Sequence, residues 1–556
     1  MTENIFGANI IEILTAGMYQ NSKVIYREYI QNSCDQIDKA EQLGILPQRN
    51  TDGRYPDSGQ GIVNIWLKPE DRYISIEDNA TGITVADFEK TLRKTADSDK
   101  IIGQNKGFRG IGKLCGLAYC KRLVFTSRWS GENVVSIVSY DAQKMRKMIN
   151  EVNTKAERHS ANDVLNAISE FSTRDADDSD PKHFFRVELI DINDENEELF
   201  GGRDEDNLKR LIDYLSFVAP VPYSGDFLYR SEVYDHAKKI GVKIDEYVIK
   251  INGTQIFKKY KTRLKTGNGE DQVFDVQFHD FIADDNSLLG WMWFGETSFK
   301  AAIKEEEISR GLRLRKENIQ IGNDDILRGM FTRDKRGNSY FIGEVFAVSR
   351  ELIPNSQRSY FNENPTRIDF EYTMKDYFNN ILYPIYYEGS DINSSIKKIH
   401  SYNDKRTEFE KKSSEGGFVT IDERNREESV LKAKEQEAEK AKRNLDKKRQ
   451  STRSILTQKI IERRAKEIPT IIENKDTNEI SEDRQTKINE PTDRKDEVKT
   501  YKPKQKFLVD GMFPRASRNE RKLLSDTLEK IFVIIQKSAD KKTSEKIINT
   551  IREELR

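Results

Sequence analysis

Glu28, Asn32, Asp35 and Lys39 recur at i, i+4, i+7 and i+11 within the segment YREYIQNSCDQIDK. If that segment is helical, the four share one face, because residues three and four apart stack along an α-helix. Ile30 and Ile37 then fall off that face, available to a core. A carboxylate on such a stripe can activate water, and an amide oxygen one turn on can ligate a magnesium ion. The same spacing also describes an ordinary solvated helix face, so the stripe alone assigns no chemistry.

A second group closes the segment ISIEDNATGIT, where a strand delivers Asp78 to a turn containing Gly82. A carboxylate there can accept a hydrogen bond from the amino group of adenine, and glycine lets the chain pass close to a base. A third run, NKGFRGIGKLCGLA, carries Gly107, Gly110, Gly112 and Gly116 ahead of a helical pattern. Glycine-rich backbone before a helix start can aim amides at phosphate oxygens. Arg109 and Lys113 add positive charge beside it. The run does not fit G-x-x-x-x-G-K-[ST], so a P-loop is not supported. A strand followed by a D-N turn, and glycines marking plain turns, are the bland readings of these two segments.

The elements that must position these groups follow from the pattern. Asn21 to Gln42 reads as a helix with Ser22 as its N-cap. Residues 43–61 form a Gly/Pro/Asp-rich loop, and IVNIWLKP and RYISIED read as a strand hairpin. A helix is expected from Val85 to about Ala96, strands at RLVFTSR and HFFRVELI, and a polar loop over 150–180. Residues 1–225 therefore read as one domain of alternating helices and strands, and 226–390 as a second α/β region. In the latter, YVIKINGTQIF and SLLGWMWFG read as strands around an N-G turn, with two more in GLRLRKENIQIG and YFIGEVFAV. Residues 391–469 read as a charged helical connector. Within 421–450, Val430, Leu431, Ala438, Ala441 and Leu445 make no clean heptad seam, which predicts a long exposed helix. Residues 470–514 read as a disordered linker. In 515–556, Ser517 with Glu520 is a capping-box pattern. Leu524, Leu528, Ile531 and Ile535, then Ile547, Ile548, Ile551 and Leu555, form two helical stripes. Two such short helices need an apolar partner, either another copy or the main body.

With 556 residues, 36% hydrophobic and 34% charged, the chain is long enough for several domains of about 150 residues each. A net charge of −1 gives no bulk reason to bind nucleic acid or membrane, although the basic runs RGLRLRK and KAKRNLDKKRQ permit a nucleic-acid contact. Three cysteines with no C-x-x-C pair argue against a disulfide framework and for a reducing compartment. The five histidines are scattered singly, so no structural zinc is expected. No apolar stretch approaches the ~20 residues that span a bilayer. The start MTENIFGANIIEILTAG lacks a basic n-region. The expected setting is the cytoplasm, away from membranes.

Order and spacing sharpen the picture. A helix with E-x-x-x-N-x-x-D, a strand ending in D-x-x-x-G about forty residues on, then a glycine loop before a helix, is a specific combination. On these motifs the chain resembles the gyrase, heat shock protein 90, histidine kinase and MutL superfamily, and REYIQNSCDQIDK is most similar to the first motif of heat shock protein 90 chaperones. The resemblance implies an α+β Bergerat fold, an antiparallel sheet with helices on one face, with ATP and magnesium bound between them. It implies Glu28 as general base, Asn32 as magnesium ligand, Asp78 as adenine reader, and Gly107, Gly110 and Gly112 in a lid over the phosphates. Asp35, Gly82, Arg109 and Lys113 complete the expected nucleotide contacts. Two positions depart from the family pattern: Ala80 replaces its first D-x-G-x-G glycine, and Phe185 stands where it has a threonine near adenine. Further on, LIDYLSFVAPVPY resembles the junction before the middle domain, and ELIPNSQRSYFNEN the middle-domain catalytic loop of those chaperones. That likeness makes Arg358 the arginine that reaches the γ-phosphate and reports that the domains have docked, with Asn355 and Asn362 as its polar neighbours. It also implies a transducer-like middle domain and ATP-dependent association of two copies as a homodimer. The cycle would act on a client protein. The alternatives are a nucleic-acid clamp of MutL, topoisomerase or microrchidia type, and an ATPase controlling a separate effector in bacterial defence.

Overall fold

The computed structural model describes residues 6–17, 21–49, 59–94, 112–154, 157–202, 204–450, 458–460, 462–463, 528, 531–532, 535 and 541–554. The chain divides into two compact units, Met1–Ile472 and Glu473–Arg556.

The first unit is built on an eight-stranded sheet. Its strands are β1 (Ile62–Lys68), β2 (Tyr73–Asp78), β3 (Cys120–Arg128), β4 (Val134–Asp141), β5 (Ser169–Asp175), β6 (Phe184–Ile192), β7 (Val248–Ile251) and β8 (Thr254–Gln255). They lie in the order β5-β4-β3-β6-β2-β1-β7-β8, antiparallel throughout except where β7 runs parallel to β1. The helices are α1 (Asn9–Glu12), α2 (Val24–Gln42), α3 (Val85–Arg93), α4 (Ala142–Asn153), α5 (Ala161–Ile168) and α6 (Glu205–Val218). Side chains alternate across a pleated sheet, and register aligns Ile76, Val187, Phe125 and Val138 in one row, with Ile74, Leu189, Leu123 and Tyr140 in the next. All eight are buried in one core with Ile30 and Ile37 of α2, Phe88 and Leu92 of α3, and Met145 of α4. The opposite face carries the Arg186–Glu77 ion pair, 2.5 Å, and the exposed Trp66. This is the α+β arrangement expected from the sequence, with helices on one face of the sheet.

Several local expectations change. The boundary at 225 does not coincide with the sheet edge, because β7 and β8 complete it from the far side. Their Asn252–Gly253 turn has both φ values positive, 47° and 82°, the I′ geometry that an N-G pair favours. Ser22 does not cap α2. Its hydroxyl donates to Glu198 Oε1 at 2.6 Å, and the helix starts after Lys23 without a side-chain cap. Residues 150–180 do not loop out but supply α5, with a Ser160/Asp163 capping box, and the edge strand β5. The helix from Val85 ends at Arg93 and is capped by Thr84.

A second sheet of the same unit contains β11 (Asp275–Ile282), β12 (Leu288–Glu296), β13 (Gly311–Lys316), β14 (Ile319–Gln320) and β15 (Ile342–Ala347), in the order β11-β12-β15-β13-β14. The hairpin of β9 (Arg263–Thr266) and β10 (Gly269–Gln272), and α7 (Arg230–Lys239), lie between the two sheets in sequence. After β15 come α8 (Pro365–Tyr377), α9 (Tyr383–Ser414) and α10 (Ile421–Gln450). Helix α10 is not a free exposed rod. It folds back on α9, and Ala438, Ala441 and Leu445 are buried in the second core, with Leu431 packed at its margin. Spacings of three and four suffice for a helix packed on one side, which is why a heptad test misses them.

In the second unit, Leu528, Phe532 and Ile548 form a buried cluster with Ile535 and Ile551 packed on it, and a helix spans Lys541–Glu554. Ser517, Glu520, Leu524, Leu555 and the expected linker 470–514 lie outside the described residues. Among the described residues, no helix is long and apolar enough to cross a membrane.

Candidate functional site

The sheet row beyond Ile76 breaks the apolar pattern. Register aligns Asp78 with Phe185, Phe185 with Ser127, and Ser127 with Ser136. Asp78 is 1% exposed at the end of β2. Its Oδ1 accepts from the Ala80 N–H at 3.1 Å, while Oδ2, buried, makes no hydrogen bond among the described residues. Burial pushes the carboxyl up to about 7, against the lowering effect of the Ser33 hydroxyl and the Ala80 amide. A buried acceptor left without a donor costs roughly 1–3 kcal/mol, so such an atom calls for a partner.

The turn after Asp78 is held from several sides. Thr81 Oγ1 donates to Gln36 Oε1 of α2 at 3.1 Å, Ser130 N to Thr81 O at 3.1 Å, and Ile83 N to Ser127 Oγ at 2.8 Å. His183 Nδ1–H donates to Ala80 O at 2.6 Å. Ala80 keeps a negative φ, so the missing family glycine strains nothing. Gly82 is required for a reason the sequence did not suggest. Its φ is +69°, and a Cβ there would stand 2.0 Å from the carbonyl oxygen of Arg128, so it is β3 that crowds this glycine. Phe185, directly across from Asp78, stacks on Phe125 with centroids 5.8 Å apart.

Helix α2 spans the site lengthwise. Ser33 and Gln36 touch the Asp78 end, and Glu28 lies about 7–8 Å back along the axis at 1.5 Å rise per residue. Glu28 and Asn32 are half-buried, Asp35 is buried and Lys39 is exposed. The backbone of Gly112 lies against the Glu28 carboxylate, where a Cβ would come 2.3 Å from Oε2. Gly112–Ala118 forms a 3-10 turn bracketed by Tyr29 of α2, whose hydroxyl donates to Lys113 O and accepts from Gly116 N, each at 3.0 Å. The Lys113 ammonium, expected beside phosphates, instead donates to Thr91 O at 2.9 Å and to Lys94 O at the end of α3. Gly107, Arg109 and Gly110 lie outside the described residues.

Arg358 comes to the same helix from the second sheet's side. It is 6% exposed and sits in a tight loop at φ 51°, a conformation that costs a non-glycine residue of order 1 kcal/mol and is kept only where neighbours impose it. Here they do. Arg358 N donates to Asn355 O at 3.0 Å, Ser359 N to Asn355 Oδ1 at 3.0 Å, Asn362 N to Ile353 O at 2.8 Å, and Gly322 N to Arg358 O at 2.8 Å. Burial pulls the guanidinium down from its ordinary range. Glu28 is the strongest charge opposing that shift, and Asp35 also opposes it. Arg27, beside Glu28 on α2, donates from Nη2 to Gln357 O at 2.8 Å. The structure thus gathers Glu28, Asp35, Gly112 and Arg358 around one helix, with Asn32 between Glu28 and the Asp78 end. Arg27, Ser33, Gln36, Ser127 and His183 belong to the site and fall on no spacing rule that would have marked them.

The family of histidine kinase-, DNA gyrase B- and HSP90-like ATPases matches residues 19–173, from just before α2 to β5. Among curated relatives, the chaperone protein HtpG of Psychrobacter arcticus is 25% identical over 166 residues, which is 28% of this chain and 25% of that protein. HtpG of Acinetobacter baylyi is 28% identical over 136 residues, 22% of this chain and 21% of the relative. HtpG of Aliarcobacter butzleri is 30% identical over 89 residues, 16% and 14% respectively. The matches span a quarter or less of the length of these relatives.

Proposed function

We propose that this chain, whose residues 19–173 match the family of histidine kinase-, DNA gyrase B- and HSP90-like ATPases, binds ATP between α2 and the end of β2 and hydrolyses it to ADP and phosphate. The observation that carries the proposal is the buried Asp78 Oδ2, whose unmet acceptor fits the amino group of adenine. Glu28 takes the proton from the attacking water. Asn32 would hold magnesium, which supplies charge neutralisation on the phosphates. Arg358 stabilises charge that develops as the γ-phosphate leaves. Hydrolysis then switches the chain between two conformations, and two copies associate in the ATP form.

The Glu28–Gly112 contact gives a test of the base. Gly112→Ala puts a methyl where the carboxylate end of Glu28 lies. That end is flexible, so the fold survives and the base moves. Turnover is expected to fall about a hundredfold, the scale of a displacement near 1 Å, with the melting temperature little changed. Phosphate release and a thermal melt read the two. Wild-type turnover would detach Glu28 from the reaction.

For the work done by the cycle we favour chaperone-like remodelling of a client protein. It is supported by the names of the relatives and by the Arg358 loop. The nucleic-acid reading loses one of its two basic runs, since Arg313, Arg315 and Lys316 of RGLRLRK are buried. ATPase rate measured alone, with a denatured protein and with duplex DNA separates the readings. Stimulation by the denatured protein is expected. Stimulation by DNA alone would replace the chaperone-like reading with a clamp, and stimulation by neither would favour control of a separate effector.

A further inference from the structure

Lys258, Arg315 and Glu344 are fully buried where the two sheets of the first unit meet. Lys258 follows β8, the last strand of the first sheet, whereas Arg315 and Glu344 belong to β13 and β15 of the second. Glu344 accepts from Lys258 Nζ at 2.9 Å, from Arg315 Nε and from the Tyr223 hydroxyl. Lys258 also donates to Asn318 Oδ1 at 2.6 Å. Arg315 donates to Asn318 O at 2.9 Å and to Phe217 O at 2.8 Å, and Trp293 Nε1 donates to the Tyr223 oxygen at 3.0 Å. Asn318 Nδ2 reaches Asp245 O, at the entry to β7, at 2.6 Å. The network therefore draws on the α6 exit, both ends of the β7–β8 hairpin and the second sheet.

Two routes lead from it to the site. The Glu317–Asn318 turn, with φ values of 53° and 59°, is fixed by the network, and Glu317 acts electrostatically on Arg358. From that turn β14 runs to Gly322, whose N–H holds Arg358 O. On the other side, Tyr247 donates to Asp38 at 2.7 Å, and Arg49 joins Glu41, 2.8 Å, to Glu246 O, 3.0 Å, so the far end of α2 is tied to the same joint.

We propose that Glu344, with Lys258 and Arg315, is a positioning group that locks the two sheets into one body and keeps Arg358 beside Glu28 whatever the nucleotide. This rests on the ATPase reading above. A buried ion pair adds little net stability against an apolar substitute, but removing one partner strands the other charges, so the joint resists opening and specifies one geometry. The two cations and the Tyr223 hydroxyl overcome the burial of Glu344 and hold its carboxyl at about 2. Docking of Arg358 is then not the regulated step, contrary to what the sequence resemblance implies.

Spin labels at Glu170→Cys on β5 and Asp284→Cys after β11 read the joint directly. Both positions are exposed, and the native Cys34, Cys115 and Cys120 are buried. One narrow distance distribution, unchanged by ADP or by a non-hydrolysable ATP analogue, is expected. A shift on adding the analogue would overturn the proposal. In Glu344→Gln the distribution should broaden and turnover should fall about tenfold or more, with ATP affinity unchanged. A narrow distribution with normal turnover in that variant would also overturn it. Should Glu344→Gln not fold, Tyr223→Phe removes one donor at conserved shape and is read by the same two measurements. Absence of hydrolysis in the wild type would defeat the ATPase reading, while the distance measurement would still decide the joint.

Discussion

Asp78→Asn is expected to weaken ATP binding by about ten- to a hundredfold or more and, at pH 8, to melt at a higher temperature than the wild type. The amide offers a donor or a rotated acceptor where the adenine amino group needs an acceptor, leaving a buried mismatch of roughly 1–3 kcal/mol or more. The stability gain has a separate cause. Burial raises Asp78 from 3.8 to about 7, so its folded-state value lies above its unfolded one. Stability from this group is therefore fully present below the unfolded value and is lost as pH rises through about 7. Above that pH the fold carries a buried charge that asparagine does not. The same titration makes wild-type ATP affinity rise with pH, by about tenfold between pH 6 and pH 8 if the ionised form binds. Calorimetry at the two pH values and a melting series check all three statements. Unchanged affinity in Asp78→Asn would remove the adenine assignment.

Glu28→Ala is expected to slow turnover by about 10²–10⁴-fold, the range for a positioned acid or base, while ATP still binds. The substitution leaves Asp78 and its turn untouched, so binding and hydrolysis separate. If the switch responds to an intact γ-phosphate, the mutant held with ATP accumulates in the associated form, and light scattering should show a larger mass with ATP than with ADP. Equal masses in the two nucleotides would argue against ATP-dependent association.

The legible parts of the site were those carried by local pattern. The α2 stripe and the β2 end are set by periods of 3.6 and 2, so Glu28, Asn32 and Asp78 could be placed on their elements from the chain alone. The Asn252–Gly253 turn was likewise local chemistry. What escaped depends on contacts distant in sequence. Gly82 is demanded by Arg128, some forty-six residues on. Ser33 lies five residues after Glu28, off the stripe, and gains meaning only when the sheet brings Asp78 beneath it. Lys258, Arg315 and Glu344 read as surface charge in any hydropathy scan, because no local pattern marks a charge as buried and paired. Helix α10 failed a heptad test although Ala438, Ala441 and Leu445 are buried, since packing on a single neighbour does not need a seam of period 3.5.

The central claim is that α2 and the end of β2 hold one ATP and that Glu28 hydrolyses it. A single-turnover assay with γ-labelled ATP, run on the wild type and on Glu28→Ala alongside equilibrium binding of the same nucleotide, tests it most directly. Equal binding in the two proteins, label released by the wild type, and label retained as intact ATP by Glu28→Ala are expected. Release at the wild-type rate from Glu28→Ala, or failure of the wild type to bind ATP, would contradict it.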